Sequence, residues 1–230
     1  MAEVLITLGI IGVVAAMTIP VLVQNHRNSV IETSLQKFYS TINQAILRSE
    51  VDNGDRKYWF QDFGGADIDD DGNPVEGTSD AQKWFNQYLA PYLQISKQEL
   101  DSAGRLIVYF SDGSAVKNRF TDSSREWIFY PKNPQKCMDV GDDGIGECAF
   151  LFIYYPAKAP TGNGNEGPDW SYHLNKGVEP YKYGWDGNIS SLYNKCLSNS
   201  TSIANRVYCT AIIQYNGWKI PKNYPLRIRY

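Results

Sequence analysis

The chain has 230 residues, a formal net charge of −3, and 43% hydrophobic and 13% aromatic residues. These values exclude an intrinsically disordered protein, because such chains have few aromatic residues and bury too little apolar surface to fold. Once an apolar N-terminal segment is set apart, about 200 residues remain, which suits one compact domain.

The N-terminal segment is apolar for about the length of a membrane span. Residues 4–23 carry no charged side chain and are dominated by Leu, Ile, Val and Ala. As one helix they cover about 30 Å, the thickness of a bilayer's hydrocarbon core. A secretory signal peptide fits poorly, since no basic region precedes the segment and no clear small-x-small cleavage site follows it. A plain membrane anchor stays open as an interpretation.

The helical pattern continues beyond this segment. Apolar residues recur at spacings of three and four, as on one face of a helix: Val30 or Ile31, Leu35, Phe38, Ile42, Ala45 and Ile46. We therefore predict one helix to about residue 50, with a transmembrane half over residues 1–24 and an amphipathic half over residues 25–50. Pro20 removes one helix hydrogen bond and is expected to kink or locally melt this helix. Residues 51–230 form a globular head.

Residues 2–20, AEVLITLGIIGVVAAMTIP, resemble the N-terminal segment of type IV pilins and of the pseudopilins of type II secretion. The resemblance is dense over this segment and loose over the rest of the long helix. It implies an α+β, pilin-like fold, in which the helix packs on an antiparallel β-sheet head. It also implies a structural subunit of a type IV pilus-like or type II secretion filament.

The same resemblance implies a location and partners. The chain would be a single-pass protein of the bacterial inner membrane with its head in the periplasm. After assembly it would lie in a filament at the cell surface or in the periplasm. The implied partners are other copies or other pilins, an inner-membrane assembly platform and membrane lipid.

Glu3 falls on the glutamate of that family. By resemblance, it neutralises the N-terminal amine of a neighbouring subunit, and an apolar bundle tolerates such a pair better than a single charge. The basic leader, the cleavage-site glycine and the mature, N-methylated Phe of the family have no counterpart here, and Met1 stands where the family usually has Leu. We therefore expect that the chain starts inside a longer reading frame or has been truncated.

The head begins with a predicted loop and helix. Residues 51–79 are rich in Asp, Gly and Asn, which predicts a long loop. Ser79 or Asp80 then caps a helix to about Ile95, with apolar residues at helical spacing. Pro91 is expected to kink or shorten this helix.

Strands follow in the second half of the head. A Ser-Asp-Gly-Ser turn at residues 111–114 indicates a hairpin. Residues 156–180 are rich in Gly, Pro and Asn and predict a loop, whereas residues 196–218 fit either a helix or a strand. The predicted strands are residues 105–110, 115–120, 126–130 and 149–155.

Four cysteines lie in the second half of the chain, an even number that indicates disulfides formed in an oxidising compartment. Three connectivities exist, and we favour nearest-neighbour pairing, Cys137 with Cys148 and Cys196 with Cys209, because it closes short loops. A zinc site is the alternative. It is disfavoured because no C-x-x-C occurs and both histidines are far from the thiols in sequence.

Two acidic clusters each suggest a calcium site, and calcium is the one cofactor that the sequence suggests. Asp67, Asp69, Asp71 and Gly72 match the first half of an EF-hand loop, in which alternate carboxylates wrap a hard cation. The second half of the EF-hand pattern is not matched, because position twelve is Thr78 rather than Glu. Solvated acidic loops are the alternative. The second cluster contains Asp139, Asp142 and Asp143.

Charge is distributed unevenly. Ten acidic residues lie within residues 50–80, and no Asp or Glu follows Asp186. Three interpretations stay open for the basic C-terminal part: it meets the acidic loop of a neighbouring subunit, it binds DNA or an acidic polysaccharide, or it is an ordinary solvated surface. Its basic residues are Lys195, Arg206, Lys219, Lys222, Arg227 and Arg229.

Motifs of catalytic sites are missing from the sequence: there is no G-x-S-x-G, no phosphate loop and no H-E-x-x-H. His173 has no marked nucleophile as a partner. We therefore expect no enzymatic activity. The alternative to a filament subunit is a non-polymerising, membrane-anchored extracellular module that binds DNA or an acidic glycan.

Overall fold

The computed structural model describes the backbone of residues 2–59, 63–157 and 172–230, and the side chains of these residues from Thr7 onward. The fold is α+β, as predicted: a long helix precedes a head built on a six-stranded antiparallel sheet. The helices are α1 (Ala2–Asn53), α2 (Asp80–Tyr88), α3 (Pro134–Met138), α4 (Ile189–Tyr193) and α5 (Cys209–Tyr215). The strands are β1 (Ile95–Leu100), β2 (Leu106–Phe110), β3 (Ala115–Asn118), β4 (Glu126–Tyr130), β5 (Phe150–Tyr154) and β6 (Val178–Pro180).

The sheet is a meander, in which each strand pairs with the next one along the chain. The predicted turn at residues 111–114 joins β2 to β3. Asp112 Oδ1 accepts a hydrogen bond from the backbone N–H of Ser114 at 3.1 Å, which closes the turn. Gly113 has a φ of 81°, a backbone conformation that a side chain would strain. The Asp-Gly signal in the sequence therefore reports the local backbone geometry.

The amphipathic half of α1 is the spine of the head. Its predicted apolar stripe is buried, with Ile31, Leu35 and Ile46 fully covered. Phe38 stacks on Phe129 of β4, with ring centroids 4.1 Å apart, and meets Phe152 of β5 edge-on at 5.0 Å. Such aromatic pairs contribute about 0.5–1.5 kcal/mol each beyond the area they bury. Helix and sheet therefore share one hydrophobic core.

The last strand, β6, ends against α1. Asn43 Nδ2 donates to the carbonyl of Val178 at 2.9 Å, and Asn43 Oδ1 accepts from the Val178 N–H at 3.0 Å. This exchange imitates the pairing of a neighbouring strand. A Cβ on Gly177 would lie 2.0 Å from Asn43 Oδ1, so only glycine permits the approach. Because unpaired sheet edges invite strand addition, Asn43 protects this edge.

The opposite face of the sheet is covered by the cysteine-containing segments. Successive residues of a strand point to opposite faces, so Trp127 and Phe129 pack with α1 while Ile128 and Tyr130 pack with a second cluster. Both disulfides belong to that second cluster, together with residues of α4 and α5. All five residues of β5 are buried because layers lie on both of its sides.

One predicted boundary near α2 is wrong, and one strand that follows it was not predicted. The helix expected to reach Ile95 ends at Tyr88. Pro91 has no N–H to continue the helix, and it lies in a 3₁₀ turn over Ala90–Tyr92. Ile95 instead begins β1, an edge strand whose polar sequence, ISKQEL, gave no strand signal.

The remaining strand predictions differ from the structure mainly at the ends. Glu126–Tyr130 is confirmed, and the strands predicted at residues 115–120 and 149–155 are shorter by one or two residues at their ends. The loop predicted at residues 156–180 is wrong at its end, where β6 forms, and residues 158–171 lie outside the described residues. The ambiguous segment 196–218 contains the helix α5.

Candidate functional site

The apolar half of α1 lies outside the core of the head. From Leu8 to Val23, every large apolar side chain is at least 43% exposed, and Met17 reaches 72%. Soluble proteins rarely expose so continuous an apolar surface. With a mean hydropathy of 2.0 in its apolar window, α1 is a candidate membrane-spanning helix by length and composition.

Two sequence-predicted assembly residues lie in this half. α1 runs without interruption through Pro20, so the local melting that we expected is absent from this helix. Pro20 still leaves the carbonyl of Ala16 without its helical N–H donor. Glu3 lies in the first turn of α1, and its side chain falls outside the described part of the chain. The pairing predicted for Glu3 therefore stays a prediction.

The C-terminal tail, residues 219–230, packs on α1 where the apolar half ends. Gln24 Nε2 donates to the carbonyl of Ile228 at 3.2 Å, and Gln24 Oε1 accepts from Arg227 Nε at 2.8 Å. Two turns further on, Glu32 binds Lys219 Nζ at 2.8 Å and accepts from the Ile220 N–H at 2.9 Å. These bonds fix the level of the apolar segment relative to the head, although no local sequence signal predicts them.

The basic residues near the C terminus do not act as one surface. Arg206 Nη1 lies 3.0 Å from Glu147 Oε1, and Arg229 Nε lies 2.6 Å from Glu147 Oε2. Arg206 is 4% exposed and also donates to the carbonyl of Asp143, so it holds the first disulfide loop in place. Lys219 is paired with Glu32. Within the described residues, no ion pair engages Lys195, Lys222 or Arg227.

The first acidic cluster does not converge on a metal position. Over the described ranges, no group of three or more His, Cys, Asp or Glu side chains is placed to hold an ion, and this includes Asp67, Asp69 and Asp71. Asp69 Oδ1 accepts from the N–H groups of Asp71 and Asn73, at 3.0 and 2.7 Å, and so closes its own loop. These contacts need no cation.

The second acidic cluster is also engaged locally. Asp139 Oδ1 accepts from Gln135 Nε2 at 2.9 Å, and the side chain of Asp142 is exposed. Asp143 contributes its backbone carbonyl to Arg206 and Arg229. Calcium binding at either cluster stays a prediction.

The structure contains the nearest-neighbour disulfides, Cys137–Cys148 and Cys196–Cys209. No cysteine of the chain is left as a thiol, so none can serve as a zinc ligand. Gly146, in the first disulfide loop, lies against the second disulfide. Its φ is 80°, and a Cβ there would lie 2.7 Å from Cys209 Sγ. The two short loops therefore pack against each other beneath the tail.

A buried polar cluster joins α1, β6 and α5. Glu179 accepts from Tyr39 Oη at 2.7 Å and from Gln214 Nε2 at 3.0 Å. Gln214 Oε1 accepts in turn from Lys182 Nζ. Burial lowers the pKa of Lys182 to about 8, against the opposing attraction of Glu179. Sequence reasoning missed this cluster, because its members are far apart in the chain and follow no motif.

His173, the one base considered from the sequence, has a structural position. It is fully buried, and its Nε2 accepts from the backbone N–H of Lys182 at 3.1 Å. Burial, followed by the charges of Lys182 and Lys176, lowers the pKa of His173 to about 3. The imidazole is therefore neutral near pH 7, with its acceptor nitrogen in use, and this arrangement does not favour a general base.

Comparisons with known proteins give one match. A family model described as a family of unknown function (DUF6613) matches residues 21–228. Neither the curated proteins nor the solved structures gave a match. The match begins directly after Pro20, so it does not overlap residues 2–20, which resemble pilins. It covers the amphipathic half of α1 and nearly all of the head, and the chain therefore belongs to this family of unknown function (DUF6613).

Proposed function

We propose that the chain is a structural subunit, a pilin or pseudopilin, of a type IV pilus-like or type II secretion filament. The observation that carries the proposal is the division of α1 into two halves. One half exposes large apolar side chains from Leu8 to Val23, and the other half is the spine of the head. Lipid can cover the first half before assembly, and the same half of neighbouring copies can cover it afterwards.

The resemblance of residues 2–20 to pilins supports assembly over simple anchoring. A carboxylate at position 3 has no role in a plain anchor, because an unpaired charge in lipid is costly. In a bundle of α1 helices, Glu3 would face the N-terminal amine of a neighbour, and the two charges would compensate each other. The proposal assigns the chain no enzymatic activity, because the function lies in packing.

The disulfides support a head outside the cytoplasm. Cys137–Cys148 and Cys196–Cys209 need an oxidising compartment. A head in the periplasm and a helix in the inner membrane satisfy both this requirement and the apolar segment. The assembly platform in that membrane and other pilins are the proposed partners.

A non-polymerising anchored module that binds DNA or an acidic glycan is the alternative. Its motivation was the basic C-terminal part of the sequence. That motivation is weaker once Arg206, Arg229 and Lys219 are used in ion pairs within the chain. Such a module would not depend on Glu3.

The test is Glu3→Ala, introduced at the chain's own chromosomal locus. We expect the number of filaments sheared from the cells and counted by electron microscopy to fall about tenfold or more, because removing the carboxylate leaves an uncompensated amine that costs about 2.5–3.5 kcal/mol in an apolar environment. Glu3→Asp, which keeps the charge, should retain part of the assembly.

Asp70→Ala is the matched control, since it also removes one carboxylate but from an exposed head loop. The membrane fraction should contain every variant with both disulfides formed, as measured by intact mass. Normal filament numbers in Glu3→Ala would refute the filament proposal and favour the anchored module.

A further inference from the structure

A groove of about 680 Å³ lies between α1 and the C-terminal tail. Its helix wall begins with Pro20 and Val21, the last turn of the exposed apolar segment, and continues with the polar Asn28. Its other wall includes Lys222 and Arg227, and both side chains are exposed. The groove is therefore apolar toward the membrane-spanning half and cationic toward the head.

The cations of this groove differ from their neighbours in having no acidic partner. Lys219 and Arg229 are paired with Glu32 and Glu147, whereas no ion pair within the described residues engages Lys222 or Arg227. Arg227 uses Nε on Gln24, which fixes the guanidinium against α1 and leaves its two terminal nitrogens available. The charge of Arg227 is thus held in place, and no ion pair within the described residues neutralises it or the charge of Lys222.

A third cation lies close by on the helix. Arg27 is three positions after Gln24, on a neighbouring part of the same helix face. Its guanidinium lies 5.8 Å from the centre of the Tyr230 ring, and no ion pair engages it within the described residues. Three uncompensated cations therefore surround the point where α1 changes from apolar to polar.

The position of these cations relative to a bilayer follows from the helix. With the apolar segment in lipid, Val23 lies at the edge of the hydrocarbon core and the next turn lies among the headgroups. Phosphate groups occupy that layer, and guanidinium groups bind phosphate through two parallel hydrogen bonds. The disulfides place the head outside the cytoplasm, so these cations are not the cytoplasmic excess that orients a membrane helix.

We propose that this groove binds a phospholipid with a net negative headgroup. The phosphate lies between Lys222 and Arg227, Arg27 adds attraction from the helix, and the acyl chains follow Pro20 and Val21. The bound lipid holds the head at a fixed height above the membrane before assembly. The inference rests on the membrane-anchored part of the proposed function and is independent of polymerisation.

Other anions fit the groove less well. A nucleic acid needs a track of cations along an accessible surface, but Lys222, Arg227 and Arg27 gather at the membrane level, where a bilayer excludes a duplex. The acidic residues 67–71 of a neighbouring head would pair with the cations but leave the apolar wall at Pro20 and Val21 uncovered. A phospholipid satisfies both parts of the groove at once.

The test is native mass spectrometry of the full chain, released from detergent micelles that contain equal amounts of phosphatidylglycerol and phosphatidylcholine. Each surface cation near anionic lipid contributes about fivefold in affinity. With three such cations, we therefore expect the first bound lipid to be about 100-fold enriched in phosphatidylglycerol. Lys222→Gln combined with Arg227→Gln should lower this enrichment about 25-fold and leave the roughly fivefold preference that Arg27 supplies. Added salt should lower the enrichment.

Two controls test whether the enrichment depends on charges within the groove. One removes charges elsewhere on the head, and the other changes a side chain of the groove but keeps its charge. Lys83→Gln combined with Lys136→Gln removes two positive charges at exposed positions outside the groove and should leave the enrichment unchanged. Arg227→Lys keeps the charge but loses the guanidinium contact with Gln24, and it should keep most of the enrichment.

Equal binding of both lipids by the unaltered chain overturns the proposal, as does an enrichment that the double substitution does not lower. Displacement of the lipid by a short DNA duplex also overturns it and assigns the groove to nucleic acid. A chain that enters neither micelles nor bilayers refutes the anchored function together with this inference. A chain that enters them without discriminating refutes this inference alone, and the Glu3 assay is unaffected.

Discussion

Lowering the pH should destabilise the head by placing a charge on buried His173. In the folded state its Nε2 accepts from the Lys182 N–H, and the pKa is about 3 instead of the ordinary 6.5. Between these values the unfolded chain holds a proton that the folded chain does not. The contribution of His173 to the free energy of unfolding is therefore complete above pH 6.5 and is lost progressively as the pH falls toward 3.

The size of the effect follows from the pKa difference. Each pH unit within the window costs about 1.4 kcal/mol. Between pH 7 and pH 4, His173 should therefore remove about 3 kcal/mol of the free energy of unfolding. This is a large share of the roughly 5–15 kcal/mol of a typical domain.

The assay compares the unaltered chain with His173→Gln, in denaturant titrations of the full chain in detergent micelles at several pH values. Gln can accept from the Lys182 N–H but does not titrate, so carboxylates common to both proteins cancel in the difference. The unaltered chain should lose stability relative to His173→Gln as the pH falls. His26→Gln, on an exposed part of α1, should behave like the unaltered chain.

Nuclear magnetic resonance gives a direct reading, because the chain has only two histidines. The His173 imidazole should show no titration above pH 5. A His173 resonance that titrates near pH 6.5, or a stability difference that does not change with pH, would refute the buried-acceptor argument.

Three further predictions concern the core, the sheet edge and calcium. Phe38→Ala should cost about 3–5 kcal/mol in denaturant unfolding, because it empties the contact with two rings of the sheet, whereas Leu47→Ala, exposed on the same helix, should cost less than about 0.5 kcal/mol. Gly177→Ala should cost about 2 kcal/mol, since its Cβ would displace Asn43 from β6, and hydrogen exchange should show faster opening of that strand. If the loop at Asp69 takes up calcium, millimolar Ca²⁺ should raise the melting temperature by about 2–4 °C per kcal/mol of binding free energy, and an unchanged melting temperature would remove the calcium prediction.

Local periodicity predicted the parts of the fold that depend on neighbouring residues. The stripe from Ile31 to Ile46 was readable because a helix repeats its buried face every three or four positions. The strand Glu126–Tyr130 and the turn at Gly113 could likewise be predicted from the residues next to them in the sequence. In contrast, β1 was missed because an edge strand facing solvent needs no apolar alternation, and ISKQEL has little.

Contacts between distant parts of the chain could not be predicted. Gln24 binds Ile228, 204 positions away, and nothing near either residue indicates the other. In the sequence, Arg206 was one of six basic residues of the C-terminal part, but in the structure it is buried against Glu147. The segment at Cys209 fitted both helix and strand because a short apolar run suits either. In the structure it is the helix α5, which packs with β5 and with Leu226 of the tail.

The place of α1 at the start of the sequence determines the order of events during synthesis. The stripe around Phe38 leaves the ribosome well before β4 and β5, which cover it, and its apolar surface is open to chaperones or to the membrane during that interval. The meander shortens the interval, since every strand pairs with its predecessor and local pairing is fast. The bonds from the tail to Gln24 and Glu32 need residues that follow every strand, so they form after the sheet has been synthesised. The apolar half of α1 and the head therefore become a single mechanical unit late in synthesis.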